Sequence, residues 1–233
     1  MLFGWFYYDW TILLVLPALI ISVWAQINVS TTFNKYSKIR NFRGITGADA
    51  ARRVLNENGL HEVKIEHIHG NLNDHYDPRA NVIRLSDAVY ANTSAAAVGV
   101  ACHEAGHAVQ HAKGYFPIKI RSAVIPATRF GSMLAIPIFM IGLIFASDAL
   151  LLAGILLYTI VAFFQLVTLP VEFNASSRAM SAIKSSGMLN PQEYAGARKV
   201  LTAAAMTYVA ALVSSLLTLL RLLVLAGGRG RRR

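Results

Sequence analysis

The sequence predicts a mainly α-helical membrane protein, with three to four transmembrane helices and a small α+β domain at the membrane surface. Three observations carry that prediction. The 233 residues are 55% hydrophobic and only 15% charged, against roughly 25% charge in soluble domains, and the mean hydropathy is +0.46. Apolar runs approach or reach the length of about 20 residues that a bilayer-crossing helix needs. Between the first two of them lies a polar section whose periodicity alternates between helix and strand.

The first run covers 10–25, with aromatic residues at 5–8. Its N-terminal flank has no basic residue and carries Asp9, which favours an uncleaved anchor over a cleaved signal peptide. The polar section, 26–122, opens with TGADAARRVLNENG. There Ala50, Val54 and Leu55 share a helical face, Thr46 is a plausible cap and Gly59 ends the helix. Short alternating segments at 63–68 and 81–85 read as strands, separated by the turn-rich GNLNDHYDPRAN. From 94 to 113 the chain is Ala-rich and helical, with Ser94 as N-cap and Gly114 as the stop. The second and third runs, 130–146 and 149–169, are separated only by Ser147 and Asp148, which predicts a tight helical hairpin. A fourth run, 201–220, precedes Arg221 and the tail GGRGRRR. The resulting organisation is an anchor (1–25), a domain carrying the Ala-rich helix (26–129), the hairpin (130–170), a basic segment (171–200), a hydrophobic helix (201–226) and an Arg-rich tail (227–233).

The net charge is +10, and the basic residues bunch at 35–43, at 178–199 and in the tail. Basic clusters flanking apolar helices mark the cytoplasmic face and its anionic lipids. No recognisable nucleic-acid-binding module is present, so a nucleic-acid partner is not expected. The single cysteine, Cys102, excludes an intrachain disulfide framework. On the positive-inside rule the N-terminus is outside and both basic segments are cytoplasmic. A fourth full span would then carry the Arg-rich tail outside, against the same rule; the alternative is a last helix that lies along or re-enters the membrane.

Within the Ala-rich helix stands VACHEAGHAVQHAKGY, residues 100–115. His103 and His107 are one turn apart, about 6 Å, so two imidazoles can converge on one metal. Glu104 is rotated by about 100° from His103, which places its carboxylate beside a metal rather than on it. A carboxylate there can take a proton from water and pass it to a leaving amine. This H-E-x-x-H pattern is a zinc-peptidase signature, against which stands a chance match of five residues. Gly106 removes a side chain beside the cluster, consistent with close approach of another helix or a substrate. Cys102 reads as a small packed residue rather than an inhibitory thiol.

A catalytic zinc takes three protein ligands and keeps one position open. His111 lies two turns beyond His103, about 12 Å along the axis, too far to share the ion; it reads as a neighbour of the site or a surface residue. Glu172 is the better candidate. Two adjacent spans return the chain to the membrane face it left, and Glu172 follows the third run directly. The competing reading pairs Glu172 with Arg178 or Lys184. Asp148 belongs to the far end of the hairpin, and Glu193, after Asn-Pro, reads as a capping acid.

HYDPRANVIRLSDAVY, AAAVGVACHEAGHAVQH and LPVEFNASSRAM, in this order and with an apolar hairpin between the last two, resemble the YugP-type neutral zinc metallopeptidases of bacterial membranes. The resemblance spans nearly the whole chain, and the arrangement is also similar to that of HtpX-type membrane peptidases. It implies a membrane-embedded zincin with His103, His107 and Glu172 as ligands of one zinc ion and Glu104 as catalytic base. In the HtpX type an acid four residues after the ligand glutamate orients a zinc ligand. Here that position is Ser176, with Asn174 nearby.

Further features bear on peptide hydrolysis. Asn81, Val82, Ile83 and Arg84 could form an edge strand that holds an extended substrate by main-chain hydrogen bonds, or an ordinary strand covering the helix. His75 or Tyr76 could stabilise an oxyanion, or simply make a turn. Together these residues predict a multi-pass zinc endopeptidase of the bacterial inner membrane, acting on proteins or peptides at the cytoplasmic face. One rival is a non-hydrolytic zinc-binding scaffold or partner protein, which does not call for Glu104. Another is a transporter, which the near absence of ionisable residues in the second and third runs disfavours.

Overall fold

The computed structural model describes residues 10–230; the aromatic residues at 5–8, Asp9 and the tail residues 231–233 lie outside the described part. In chain order the elements are α1 (Ile12–Tyr36), α2 (Gly47–Glu57), β1 (Lys64–Ile68), β2 (His75–Asp77), β3 (Val82–Ser86), α3 (Ala95–Ala112), α4 (Phe116–Ile144), α5 (Asp148–Ser185) and α6 (Pro191–Gly230). Among the described residues, α1, α4, α5 and α6 are long and apolar enough to cross a membrane. This is a mainly α membrane protein with a small α+β part, and the helical elements overrun the apolar runs. The first of the hairpin helices starts at Phe116 rather than at 130, because its amphipathic N-terminal turns continue the same backbone pattern. The last helix begins at Pro191, well before the fourth apolar run.

The chain divides into two compact units, and α1, α4, α5 and α6 each contribute residues to both. One comprises 10–24, Ile120–Leu169 and 207–230 of the described residues. It presents large apolar side chains outward: Leu13, Ile20, Phe130, Leu152 and Leu156 are all more than half exposed, an apolar surface of the kind a bilayer covers rather than water. The α4–α5 hairpin is tight, as its two-residue break predicts. Ser147 N–H donates to the Gly142 carbonyl at 3.0 Å. A Cβ on Gly142 would lie 2.7 Å from the Leu151 nitrogen, so a larger residue would wedge the helices apart. Ser22 and Ser214 hydroxyls meet at 2.9 Å, and Arg221 donates to the Thr11 hydroxyl at 3.1 Å, polar contacts within a largely apolar unit.

The other unit is Ala25–Lys119 together with Pro170–Met206. Its α2 is amphipathic, burying Ala50, Val54 and Leu55. Thr46 caps it and Asp49 returns the bond in a reciprocal capping box, which satisfies two otherwise orphan amides. The sheet order is β1-β3-β2. β1 pairs parallel with β3, and β2 antiparallel with β3. Ile83 and Leu85 of β3 join Val54, Leu55, Val98 and Ala101 in one core. Ser94 caps α3 by accepting from the Ala97 amide. The capping role of Glu193 is also met: its carboxylate accepts from the Asn190 amide, and Asn190 Oδ1 accepts from Glu193, each at 2.9 Å.

Two readings of the sequence change here. The turn-rich stretch holds a third strand, β2, whose His75, Tyr76 and Asp77 face Arg84, Ile83 and Val82. In consequence the Asn81–Arg84 segment is no edge. β3 is the middle strand with both sides paired, so its main chain has no open row of hydrogen bonds for an added strand.

Candidate active site

The site rests on two helical segments of the second unit. On α3 the i, i+4 spacing stacks His103 and His107, with ring centroids 4.7 Å apart and planes at 87°. On α5 the residues after Pro170 bring Glu172 against them. A close backbone contact permits this: a Cβ on Gly106 would lie 2.8 Å from the Ala175 carbonyl oxygen. The approach anticipated at Gly106 is therefore that of a helix. Any larger residue there would push α5, and Glu172 with it, away from the histidines.

Glu172 is 2% exposed, and one of its oxygens, Oε2, lies 3.2 Å from His103 Nε2 and 3.5 Å from His107 Nε2. The three donor atoms all lie within 4.8 Å of one another. Neighbouring ligand atoms of a tetrahedral zinc with bonds of about 2.0–2.2 Å stand roughly 3.3 Å apart, so the observed spacing suits such an ion with little rearrangement. Two imidazole nitrogens and one carboxylate oxygen form the donor set of a zinc site with an open fourth position. Glu172 meets the histidines, while Arg178 donates instead to Asn174 Oδ1 at 2.7 Å.

Each imidazole turns its other nitrogen to a neutral partner. His107 Nδ1 lies 3.0 Å from Gln110 Oε1, and Gln110 is fully buried. The Gln110 amide group donates to the Val171 carbonyl at 2.8 Å and to Asn174 Oδ1 at 3.0 Å. Those two donations fix its orientation, so Oε1 must accept and His107 carries a proton on Nδ1; in the neutral ring, Nε2 then has its lone pair for a metal. His103 Nδ1 is 3.1 Å from the Ser176 hydroxyl, which can accept in the same way. Ser176 thus occupies the place where the HtpX-type pattern has an acid, and Asn174 supports the other histidine through Gln110. Burial alone would lower the His107 pKa, but hydrogen bonding to Glu172 and the charges of Glu104 and Glu172 outweigh it, and the pKa is raised.

Glu104 stands beside the donor set. Its Oε2 accepts from the Tyr76 backbone amide at 3.0 Å, so β2 pins one carboxylate oxygen and leaves the other free. Asp74 braces the same loop by accepting from the Ser86 amide at 2.7 Å and the Ser86 hydroxyl at 3.0 Å. Its pKa is raised, first by burial and further by the nearby Glu104 charge.

The remaining sequence candidates fall outside the donor set. His111 stacks on Tyr76 at 5.6 Å. The Tyr76 hydroxyl donates to Asn81 Oδ1 at 3.0 Å, and His75 Nδ1 bonds the Asn73 carbonyl at 2.9 Å on the exposed side of β2. Val82 and Ile83 are buried, and Arg84 pairs with Asp77 at 3.0 Å and Glu66 at 3.3 Å. Cys102 is wholly buried, and burial pushes its thiol pKa up; it is a packing residue. Gln110 and the Tyr76 amide were not singled out from sequence. Gln110 offered one signal, a polar residue three places after His107 on a face otherwise buried. The Tyr76 amide offered none, because a main-chain donor has no sequence signature.

A family model described as "Putative neutral zinc metallopeptidase" matches residues 11–227. The chain is 47% identical over 214 residues to "Putative membrane protease YugP" of Bacillus subtilis (strain 168), covering 92% of this chain and 95% of that protein. No solved structure matches. With a match that runs from the first span to the last, the chain belongs to the family so described.

Proposed function

We propose that this protein is a zinc-dependent membrane endopeptidase that hydrolyses peptide bonds of proteins or peptides at the cytoplasmic face. The observation that carries the reading is the convergence of His103, His107 and Glu172 on one point, with Glu104 beside it and outside the donor set. When bound, zinc supplies a Lewis acid that polarises the scissile carbonyl and makes water a better acid. His103, His107 and Glu172 hold it. Gln110 and Ser176 hold the imidazoles in the tautomer that binds metal.

Glu104 then does the proton work. With Oε2 anchored on the Tyr76 amide, its other oxygen takes a proton from the attacking water. As the new C–O bond forms and the C–N bond breaks, the same carboxyl hands that proton to the departing nitrogen. A scaffold protein has no need of such a group, and this disfavours the non-hydrolytic reading. For the substrate strand, β2 replaces β3 as the open edge that meets α3, since Tyr76 N–H turns away from β3 towards Glu104.

The cytoplasmic assignment rests on charge. The basic segments at 35–43 and 178–199 belong to the same compact unit as the site, and such clusters are retained on the cytoplasmic side. A reporter fused after Lys199 should be active only in its cytoplasmic form; one after Arg233 tells whether α6 crosses. The activity is tested with detergent-purified protein and casein: cleavage should be abolished by a zinc chelator, restored by added zinc, and slowed at least about 100-fold in Glu104→Gln. A Glu104→Gln protein that binds zinc and still cleaves at the normal rate would refute the assignment.

A further inference from the structure

We propose that His67, His69 and Asp87 form a second site for a zinc-class divalent cation, on the surface and distinct from the His103–His107–Glu172 group. The sheet assembles it. β1 and β3 run parallel with Ile68 opposite Ser86 as their last pair. His69 and Asp87 are therefore the first residues to leave two neighbouring strands, and His67 lies two residues earlier on β1. One carboxylate oxygen serves both rings: Asp87 Oδ1 is 2.6 Å from His67 Nε2 and 3.6 Å from His69 Nδ1.

The other Asp87 oxygen is not idle. Oδ2 accepts from the Gly70 amide at 2.9 Å, and the Asp87 amide donates back to the Gly70 carbonyl at 3.2 Å. This exchange fixes the carboxylate so that Oδ1 must face the imidazoles. The Tyr90 ring, 5.2 Å from that of His67, supports the first imidazole from the side. All three ligand atoms lie within 4.8 Å of one another. The donor spacing of roughly 3.3 Å around zinc falls between the two observed carboxylate contacts. His69, 96% exposed in its side chain, is free to swing through the remaining distance.

The chemistry selects the ion class. Two imidazoles and one carboxylate favour zinc, nickel, copper or cobalt over magnesium and calcium, which prefer all-oxygen surroundings. Three protein ligands leave a position for water. The bound ion would clamp the ends of β1 and β3 and so close the loop that leads to β2, the strand whose Tyr76 amide holds Glu104. Its role is that of a clamp on the two strand ends.

The test counts metal. Full-length protein, purified in detergent without a histidine tag, is stripped with chelator, equilibrated with micromolar zinc, desalted and analysed for bound zinc. Wild type should hold two equivalents. His67→Ala/His69→Ala and His103→Ala/His107→Ala should each hold one, and the fourfold variant none. The isosteric Asp87→Asn should weaken the second equivalent at least tenfold while leaving the circular dichroism spectrum unchanged. In His103→Ala/His107→Ala protein, zinc should still raise the thermal unfolding midpoint. One equivalent in wild type and none in His103→Ala/His107→Ala would show a simple His–Asp ion pair and overturn the proposal. So would a second equivalent that survives His67→Ala/His69→Ala. Because the decisive count is made on protein without the first group, it stands apart from the fate of the peptidase reading.

Discussion

The two histidine–carboxylate groups of the second unit each combine two imidazoles with one carboxylate, yet they are built in opposite ways. His103, His107 and Glu172 are brought together by packed helices, with Glu172 2% exposed and each imidazole backed by a neutral hydrogen-bond partner. His67, His69 and Asp87 sit at strand ends, with side-chain exposures of 39%, 96% and 52%. A buried carboxylate without a cation leaves a charge in low dielectric, which costs several kcal/mol; an exposed one is screened by water. The buried group is therefore organised for a cation in advance, with tautomers set and geometry held. The exposed group must order His69 when the ion arrives. Preorganisation of this kind separates a centre that performs chemistry from one that only tethers.

The comparison breaks most visibly at Glu172. Glu172→Ala should remove zinc from the buried group and abolish casein cleavage, while the zinc held by His67, His69 and Asp87 stays; metal analysis and a cleavage assay on one preparation check both halves. Glu104→Gln should lower kcat by about 10²- to 10⁴-fold, the usual worth of a general base, with no change in zinc content. Gln110→Leu removes the His107 partner while keeping much of the volume, and should weaken zinc binding about 10- to 100-fold; Ser176→Ala should do the same through His103. Competition against a zinc-sensitive dye reads that shift.

The smallest effect concerns a partly buried ion pair between β2 and β3. Asp77 is held below the ordinary carboxylate range, first by the Arg84 side chain and then by the Arg79 and Ala80 amides. A pKa lowered on folding gives stability that is present above the unfolded value of about 3.9 and is lost as pH falls through the folded value. Arg84→Met should therefore lower the unfolding midpoint slightly at neutral pH, and the difference from wild type should vanish in acid. A difference that stays constant down to pH 2 would assign the effect to packing of the Arg84 stem.

Much of the buried group was legible before any coordinates. H-E-x-x-H on a helix sets two imidazoles on one face because the i→i−4 bonding is local. Glu172 followed from membrane topology, since two adjacent spans must return the chain to its starting face. The strands were harder. DHYDP carries turn residues, yet its His75–Asp77 portion becomes β2 because β3 is there to receive it. Asn81–Arg84 resembled an edge strand, yet the parallel pairing of β1 occupies its other side. Gln110 carries no motif; its importance comes from contacts to Val171 and Asn174, about sixty positions away.

Local patterns in the chain, apolar run lengths, caps and the four-residue histidine spacing, already prescribed the helices, the spans and the two imidazoles of the donor set, because each depends on neighbours within a few residues. Strand order, the Tyr76 amide on Glu104, the neutral partners of both imidazoles and the meeting of His69 with Asp87 were decided only by tertiary structure. These are contacts between segments distant along the chain, and which of many such pairings forms depends on how the whole core packs.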